Sequence, residues 1–164
     1  MKPHIKVLPI VLVVILLAAC KKDDKPTMID VTLSTGNQVS PNGLNVYLLS
    51  DDHRTMADNV SSGKADANGK INFTVTPGKV YYIYNGHFGL TNADATYIIT
   101  GKFTTQQQID GSPAQTPAAQ IGDNIEMDIN GDGVINAIDQ VIKVAAPAKG
   151  STSQVSVTVN IPVP

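Results

Sequence analysis

Residues 65–84 read ADANGKINFTVTPGKVYYIY, and they carry the strongest indication of the fold. The Asn-Gly pair at 68–69 predicts a tight turn, because these two residue types tolerate a positive φ. Apolar residues then alternate with polar ones at Ile71, Phe73 and Val75, as they do in a strand that buries one face. A Pro-Gly pair follows and leads into an aromatic strand. The stretch therefore predicts consecutive antiparallel strands joined by short turns.

The same alternation recurs on both sides of this stretch, with turn residues in between. Repeated short strands of this kind are typical of a β-sandwich or a barrel. The alternating apolar positions are Ile29, Val31 and Leu33, then Leu44, Val46 and Leu48, then Val80, Tyr82 and Tyr84, then Tyr97 and Ile99, and finally Val155, Val157, Val159 and Ile161. We expect a mainly β protein with one short helix, an antiparallel β-sandwich to which the last strand returns after an excursion.

Residues 44–84 resemble the transthyretin-like, or carboxypeptidase-regulatory-like, β-sandwich. The resemblance rests on the strand at 45–48, on the turn and strand at 65–73, and on the Pro-Gly pair and aromatic strand at 77–82. It implies a sandwich fold and a structural, adhesive or spacer role. It transfers no catalytic residue to this chain.

The N-terminus has the organisation of a secretory signal. Lys2 and Lys6 provide a basic start, and residues 7–19 are apolar apart from one proline. This segment is too short to span a bilayer as a helix, which needs about 20 residues. Positions 17–20 read LAAC, which resembles the lipobox of bacterial lipoproteins. The resemblance implies cleavage before Cys20 and a lipid on its thiol, which would anchor the protein to the membrane. The alternative is an ordinary signal peptide followed by a chance cysteine.

A charged run, KKDDK, follows the cysteine directly. Such a run is usually a solvated tether. It also resembles the Lys-Asp-Asp signal of Gram-negative lipoproteins that are sent to the outer face of the outer membrane. We therefore expect a signal peptide at 1–19, a lipidated tether at 20–26 and a sandwich domain at 27–164. The expected location is the bacterial outer membrane, with exposure at the cell surface favoured over a periplasm-facing orientation.

Residues 128–139 read DINGDGVINAID, and their spacing is that of an EF-hand calcium loop. Ca²⁺ takes about 6–8 oxygen ligands, so a tight loop with oxygen-bearing side chains at alternate positions suits it. The predicted ligands are Asp128, Asn130, Asp132, the carbonyl of Val134, Asn136 and Asp139. Three of these are carboxylates, and a divalent cation would largely neutralise their charge. We refer to this segment as the 128–139 loop.

The last position of the loop is Asp139, where calcium sensors have glutamate, and this shorter acid resembles the dockerin version of the loop. The run GDGVIN at 131–136 supports the same resemblance. Dockerins carry two such loops and bind cohesin domains, whereas this chain has one, so only the metal site is transferred. We expect Asp139 to lie in a helix over 137–144, and the loop to be an insertion at 123–146. A structural ion is expected, since no paired helix-loop-helix is visible.

A simpler interpretation of the same residues is a hairpin turn. The sequence NGDG at 130–133 favours a tight turn, and apolar residues alternate before it. A turn would explain both glycines. It would not explain Asp128, Asn136 and Asp139, which stand at ligand spacing.

Composition argues against several function classes. The chain has 12 Lys and Arg against 14 Asp and Glu, a net charge of −2, so we expect no nucleic-acid binding. A single cysteine cannot form a disulfide framework or a Cys-rich zinc site. His53 and His87 have no metal-ligand spacing, and neither a nucleophile elbow nor a phosphate loop is present. We expect a calcium-binding module that is not an enzyme and has a structural, adhesive or accessory binding role.

Three alternatives remain at this stage. Tyr81, Tyr82 and Tyr84 could form an aromatic platform for a sugar, as in an accessory lipoprotein for polysaccharide capture, although strand packing explains them more simply. The loop could serve a dockerin-like adaptor with a surface protein as its partner. The third alternative is a hydrolase that uses a pair of the abundant carboxylates, although a small domain with one glutamate and no tryptophan argues against it.

Overall fold

The computed structural model describes residues 25–36, 39–112 and 117–162. The strands in these ranges are β1 (Met28–Thr35), β2 (Asn45–Leu49), β3 (Ser61–Lys64), β4 (Lys70–Thr74), β5 (Val80–Tyr84), β6 (Gly89–Thr91), β7 (Ala95–Thr96), β8 (Ile99–Lys102), β9 (Asn124–Glu126), β10 (Val141–Ala145) and β11 (Thr152–Asn160). The helices are α1 (Gln106–Asp110) and a 3₁₀ helix (Ala137–Asp139). The predicted mainly β class is confirmed. The predicted signal peptide, Cys20 and most of the tether lie outside the described residues.

Two sheets pack face to face around the main core. One sheet has the order β4-β1-β11-β6 and the other the order β3-β2-β5-β10-β7. Ile29, Val31 and Leu33 of β1 are at most 3% exposed, and Val157 and Val159 of β11 are 1% exposed. These are alternate positions of each strand, as the period of two predicts. The β-sandwich and the return of the last strand to it are therefore confirmed.

The last strand differs from the prediction in its direction. β11 runs parallel to β1, with Met28 beside Thr152 and Thr35 beside Val159, so this sheet is mixed rather than antiparallel. A parallel pair needs a long crossover connection. The chain between the two strands provides it, because it builds the whole of the other sheet before β11 returns.

A second, smaller core lies on the outer face of the five-stranded sheet. Leu49 of β2, Tyr84 of β5 and Val141 of β10 turn away from the main core, and Ile98 and Ile129 pack against them. Each of these five residues is at most 4% exposed. The partly buried residues around them are Tyr47, Met56, Tyr82 and Met127. The second core therefore joins the sandwich to the segment that carries the 128–139 loop.

Two predictions next to this loop are wrong. The helix expected over 137–144 is a single 3₁₀ turn at Ala137–Asp139, and β10 begins two residues later. β10 pairs with β5 on one side and β7 on the other, so it is an interior strand of the sandwich. The range 123–146 is therefore not an insertion as a whole. Residues 141–146 are apolar apart from Lys143, and a short, mostly apolar run does not distinguish a strand from a buried helix in the sequence.

β8 and β9 form a small separate sheet that leads the chain into the 128–139 loop. α1 follows β8 and begins with a capping box, in which Thr105 accepts the backbone N–H of Gln108 and Gln108 reciprocates. None of the helices among the described residues is long and apolar enough to cross a membrane.

Candidate calcium site

The 128–139 loop is attached to the second core at its beginning. The side chain of Ile129 is 1% exposed within that core. Its carbonyl accepts a hydrogen bond from the N–H of Met56 at 3.0 Å, and the N–H of Met127 donates to the carbonyl of Ile98 at 3.0 Å. These contacts fix the backbone on both sides of Asp128, the first predicted ligand.

The carboxylate of Asp128 organises the first half of the loop. One oxygen accepts the N–H of Gly131 at 2.7 Å and that of Asp132 at 3.2 Å. The other oxygen accepts the N–H of Gly133 at 2.8 Å. Gly131 and Gly133 have φ of 77° and 87°, a region that favours glycine, so both glycines are needed for the chain to wrap around this carboxylate.

The predicted ligands at the alternate positions are oriented in a uniform way. The side-chain oxygens of Asn130, Asp132 and Asn136 each accept a hydrogen bond from the backbone N–H two residues later, at 3.0, 2.8 and 2.7 Å. Such turns are a preferred conformation of Asx residues. Each hydrogen bond uses one lone pair of the oxygen and leaves the second for another partner.

Asp139 closes the loop from its far end. One carboxylate oxygen accepts the N–H of Ile129 at 2.8 Å, and the other accepts the N–H of Asn136 at 3.0 Å. The residue is 0% exposed. Burial raises the pKa of this carboxyl above its usual range and the charge of Asp128 adds to the shift, whereas the backbone hydrogen bonds oppose it. Asp139 is the last residue of the 3₁₀ turn, which forms in place of the longer helix that was predicted.

Within the ranges that the structure describes, no basic side chain forms an ion pair with this buried acid. Among the described residues, His53 and Asp58 form an ion pair at 3.0 Å on the surface, remote in sequence from the loop. The side chain of Asp139 therefore depends entirely on backbone N–H groups for stabilisation of its negative charge.

Tyr84 lies beside the loop, and sequence reasoning missed it. Its side chain is 0% exposed, and its hydroxyl has no hydrogen-bond partner among the residues that the structure describes. Burial raises the pKa of this hydroxyl, and the charges of Asp139, Asp132 and Asp128 raise it further, so all three loop carboxylates are electrostatic neighbours of the ring. The sequence placed Tyr84 in a strand, but only the pairing of β5 with β10 brings it to the loop.

The structure separates the two interpretations of the loop only in part. A hairpin would pair the strands on either side of 130–133, whereas β9 pairs with β8 and β10 pairs with β5 and β7, so the hairpin interpretation is wrong. No cluster of three or more His, Cys, Asp or Glu side chains close enough to hold a metal ion occurs in the described ranges. Three of the six predicted ligands are amides or a carbonyl, which a cluster of this kind does not include. The other three are carboxylates, which repel one another when no cation is bound.

The aromatic platform considered from the sequence is not formed as a unit. Tyr81 is 3% exposed in the main core, and its hydroxyl accepts the N–H of Thr76 at 3.0 Å. Tyr84 is buried on the opposite face of the sheet. Tyr82 is half-buried, so it alone of the three could contact a ligand.

Comparisons with known proteins give no family. No protein-family model matches the chain, and no curated protein matches it. Among solved structures, a variant of BcpA, the major pilin subunit of Bacillus cereus, superposes with a TM-score of 0.41 and 14% sequence identity. The aligned region covers 84% of this chain and 30% of the pilin, so the chain spans less than a third of the pilin's length.

Proposed function

We propose that this protein is a calcium-binding β-sandwich module, held by a lipid on Cys20 at the outer face of a bacterial outer membrane, with a structural or adhesive role and no catalytic activity. The proposal of calcium binding rests on Asp139, a fully buried carboxylate whose hydrogen-bond partners among the described residues are backbone N–H groups. A buried carboxylate is costly unless its charge is compensated.

The chemistry of the donor set suits a hard divalent cation. Asp128, Asp132 and Asp139 supply carboxylate oxygens, and the amides of Asn130 and Asn136 with the carbonyl of Val134 supply neutral ones. All five side chains are already oriented by hydrogen bonds within the loop. Calcium would offset the repulsion of the three carboxylates and supply the cation that Asp139 lacks.

The proposed role of the ion is to stabilise the attachment of the loop to the sandwich. Ile129 lies between ligands Asp128 and Asn130, and its side chain is part of the second core. An ion that rigidifies the loop therefore stabilises the packing around Tyr84. At millimolar calcium, a site with a Kd of about 0.1 mM would stabilise the folded state by about 1.4 kcal/mol.

Calorimetric titration of calcium into the full chain tests this proposal. We expect one site with micromolar to sub-millimolar affinity and a higher melting temperature in calcium. The double variant Asp128→Ala, Asp132→Ala should lose both effects. The matched control is Asp52→Ala, Asp58→Ala, which removes two exposed carboxylates outside the loop and should bind as the parent does. No heat and no thermal shift in the parent protein would refute the calcium site.

The anchor is tested separately at Cys20. We expect the protein expressed in a Gram-negative host to incorporate labelled palmitate and to partition into detergent, and Cys20→Ser to abolish both. Protease treatment of intact cells should degrade the parent protein if it faces outward. Labelling that persists in Cys20→Ser would contradict the assignment of the lipid to this residue.

A further inference from the structure

An open groove of about 430 Å³ lies on the outer face of the five-stranded sheet, beside the second core. Ligand pockets in proteins typically have about 300–1,000 Å³. The residues that line it and matter for its chemistry are Asp51, Tyr82, Asp94, Tyr97, Ile99 and Lys143. We call it the Tyr82 groove. It is distinct from the six predicted calcium ligands, none of which lines it.

Tyr82 and Lys143 form the floor of the groove. They are direct neighbours on β5 and β10, so their side chains share one face of the sheet. The hydroxyl of Tyr82 donates to a carboxylate oxygen of Asp51 at 2.8 Å, which fixes the orientation of the ring. Tyr97 adds a second half-buried ring.

The guanidinium of Arg54 holds two sides of the groove together. Its Nε donates to the carbonyl of Asp51 at 2.5 Å, and its Nη1 donates to the carbonyl of Ile99 at 3.2 Å. Asp51 and Ile99 both line the groove. Because the Arg54 guanidinium is planar and its donors point in fixed directions, it fixes the distance between these two carbonyls and thus the width of the groove.

Charged groups in the groove have unused hydrogen-bonding capacity. Neither the carboxylate of Asp94 nor the ammonium of Lys143 forms a side-chain hydrogen bond or an ion pair within the part of the chain that the structure describes. Both residues are exposed to solvent. The groove thus presents two carboxylates and one ammonium around amphipathic rings.

We propose that the Tyr82 groove binds a short carbohydrate chain. A sugar ring combines an apolar C–H face, which would pack on a tyrosine ring, with hydroxyl groups that both donate and accept hydrogen bonds. Asp51 and Asp94 accept from such hydroxyls, and Lys143 donates to them. A nucleotide or an acidic peptide would meet two carboxylates, and a basic peptide would meet Lys143, so the mixed charges favour a polyhydroxyl ligand.

This inference goes beyond the calcium-binding function and does not depend on it. The groove is lined by residues of β5, β7, β8 and β10 and of the connecting turns, and by no residue of the 128–139 loop. Its test is run both in calcium and in chelator. Failure of calcium binding would therefore leave the sugar titration interpretable.

The experiment screens the full chain on a printed array of neutral and acidic oligosaccharides, followed by calorimetric titration of the strongest binders. We expect binding that Asp94→Asn and Lys143→Met each weaken by about tenfold, and that Tyr97→Ala weakens by more than tenfold. The matched controls are Asp52→Asn and Lys79→Met, which make the same charge changes at exposed residues outside the groove and should bind within twofold of the parent.

Circular dichroism and thermal melting of each variant establish that it is folded. A folded parent protein that binds no array sugar would overturn the proposal. Binding that all three groove variants retain would place the sugar elsewhere and overturn it as well. Binding only to a peptide panel screened in parallel would assign the groove to a different class of ligand.

Discussion

Two tyrosine hydroxyls, three positions apart in β5, illustrate how burial and hydrogen bonding act on single residues. Tyr81 and Tyr84 of β5 are both buried, but Tyr81 accepts a hydrogen bond from Thr76 whereas Tyr84 has no partner. An unpaired buried polar group costs about 1–3 kcal/mol, and a formed hydrogen bond contributes about 1 kcal/mol. The two hydroxyls should therefore have opposite effects on stability.

Removal of each hydroxyl tests this difference. In chelator, Tyr84→Phe is expected to raise the free energy of unfolding by about 1 kcal/mol, because it removes an unpaired group. Tyr81→Phe should lower that free energy by about 1 kcal/mol, because the N–H of Thr76 loses its acceptor. Urea denaturation of both variants and the parent measures the two changes. Equal losses in the two variants would show that the Tyr84 hydroxyl has a stabilising partner.

The tight turns of the loop could be predicted from the sequence because the hydrogen bonds that form them are local, whereas the assignment of its residues as ligands stays a prediction. Asp128, Asn130, Asp132 and Asn136 each bond to backbone groups within five positions, so spacing alone indicates their arrangement. The surroundings of the loop were not predictable in this way. Tyr84 reaches the loop through strand pairing, and no local pattern reports which strands become neighbours.

At the scale of an element, the turn between β3 and β4 depends on its contact with β1. Gly69 has φ of 76°, and a Cβ added to it would lie 2.2 Å from the carbonyl oxygen of Leu33. Its own carbonyl accepts the N–H of Leu33 at 2.8 Å. Gly43 has a similar φ of 81°, but a Cβ there would meet nothing within 4 Å. The two glycines thus share one backbone conformation in different packing.

Alanine substitution separates the cost of the positive φ, which both glycines have, from the cost of the contact with β1, which only Gly69 makes. Gly43→Ala should lower the free energy of unfolding by about 1–2 kcal/mol, the usual cost of a left-handed backbone for a residue with Cβ. Gly69→Ala should cost roughly 3 kcal/mol or more, because the turn must also move away from β1. Thermal and urea denaturation of both variants provide the comparison. Similar losses would mean that the turn shifts away from Leu33 without cost.

The elements themselves were predicted best where turn chemistry and alternation agree. Residues 65–84 contain both, and β4 and β5 form as expected. Residues 137–144 contain neither, and there a helix was expected where β10 forms. Long-range contacts decide between helix and strand here, because β10 pairs with β5 on one side and with β7 on the other. The parallel pairing of β1 with β11 is likewise a property of the whole topology.

At the scale of the molecule, the two cores differ in how they depend on the 128–139 loop. The main core is built from the facing sides of the two sheets and contains no residue of the loop. The second core contains Ile129 and is covered by the segment around Ile98. Stability in a protein is often distributed in such units, which open with different free energies. If the loop binds calcium as proposed, the ion should therefore stabilise mainly the second core.

Hydrogen exchange in calcium and in chelator tests this separation. Removal of calcium is expected to speed the exchange of the Met56 and Met127 amides at least tenfold, because their acceptors belong to the second core. The amides of β1 that pair with β11 should keep most of their protection, since no ligand of the loop contributes to the main core. The Asp128→Ala, Asp132→Ala variant should show the chelator pattern under both conditions. Equal loss of protection in β1 would mean that the two cores unfold as one cooperative unit.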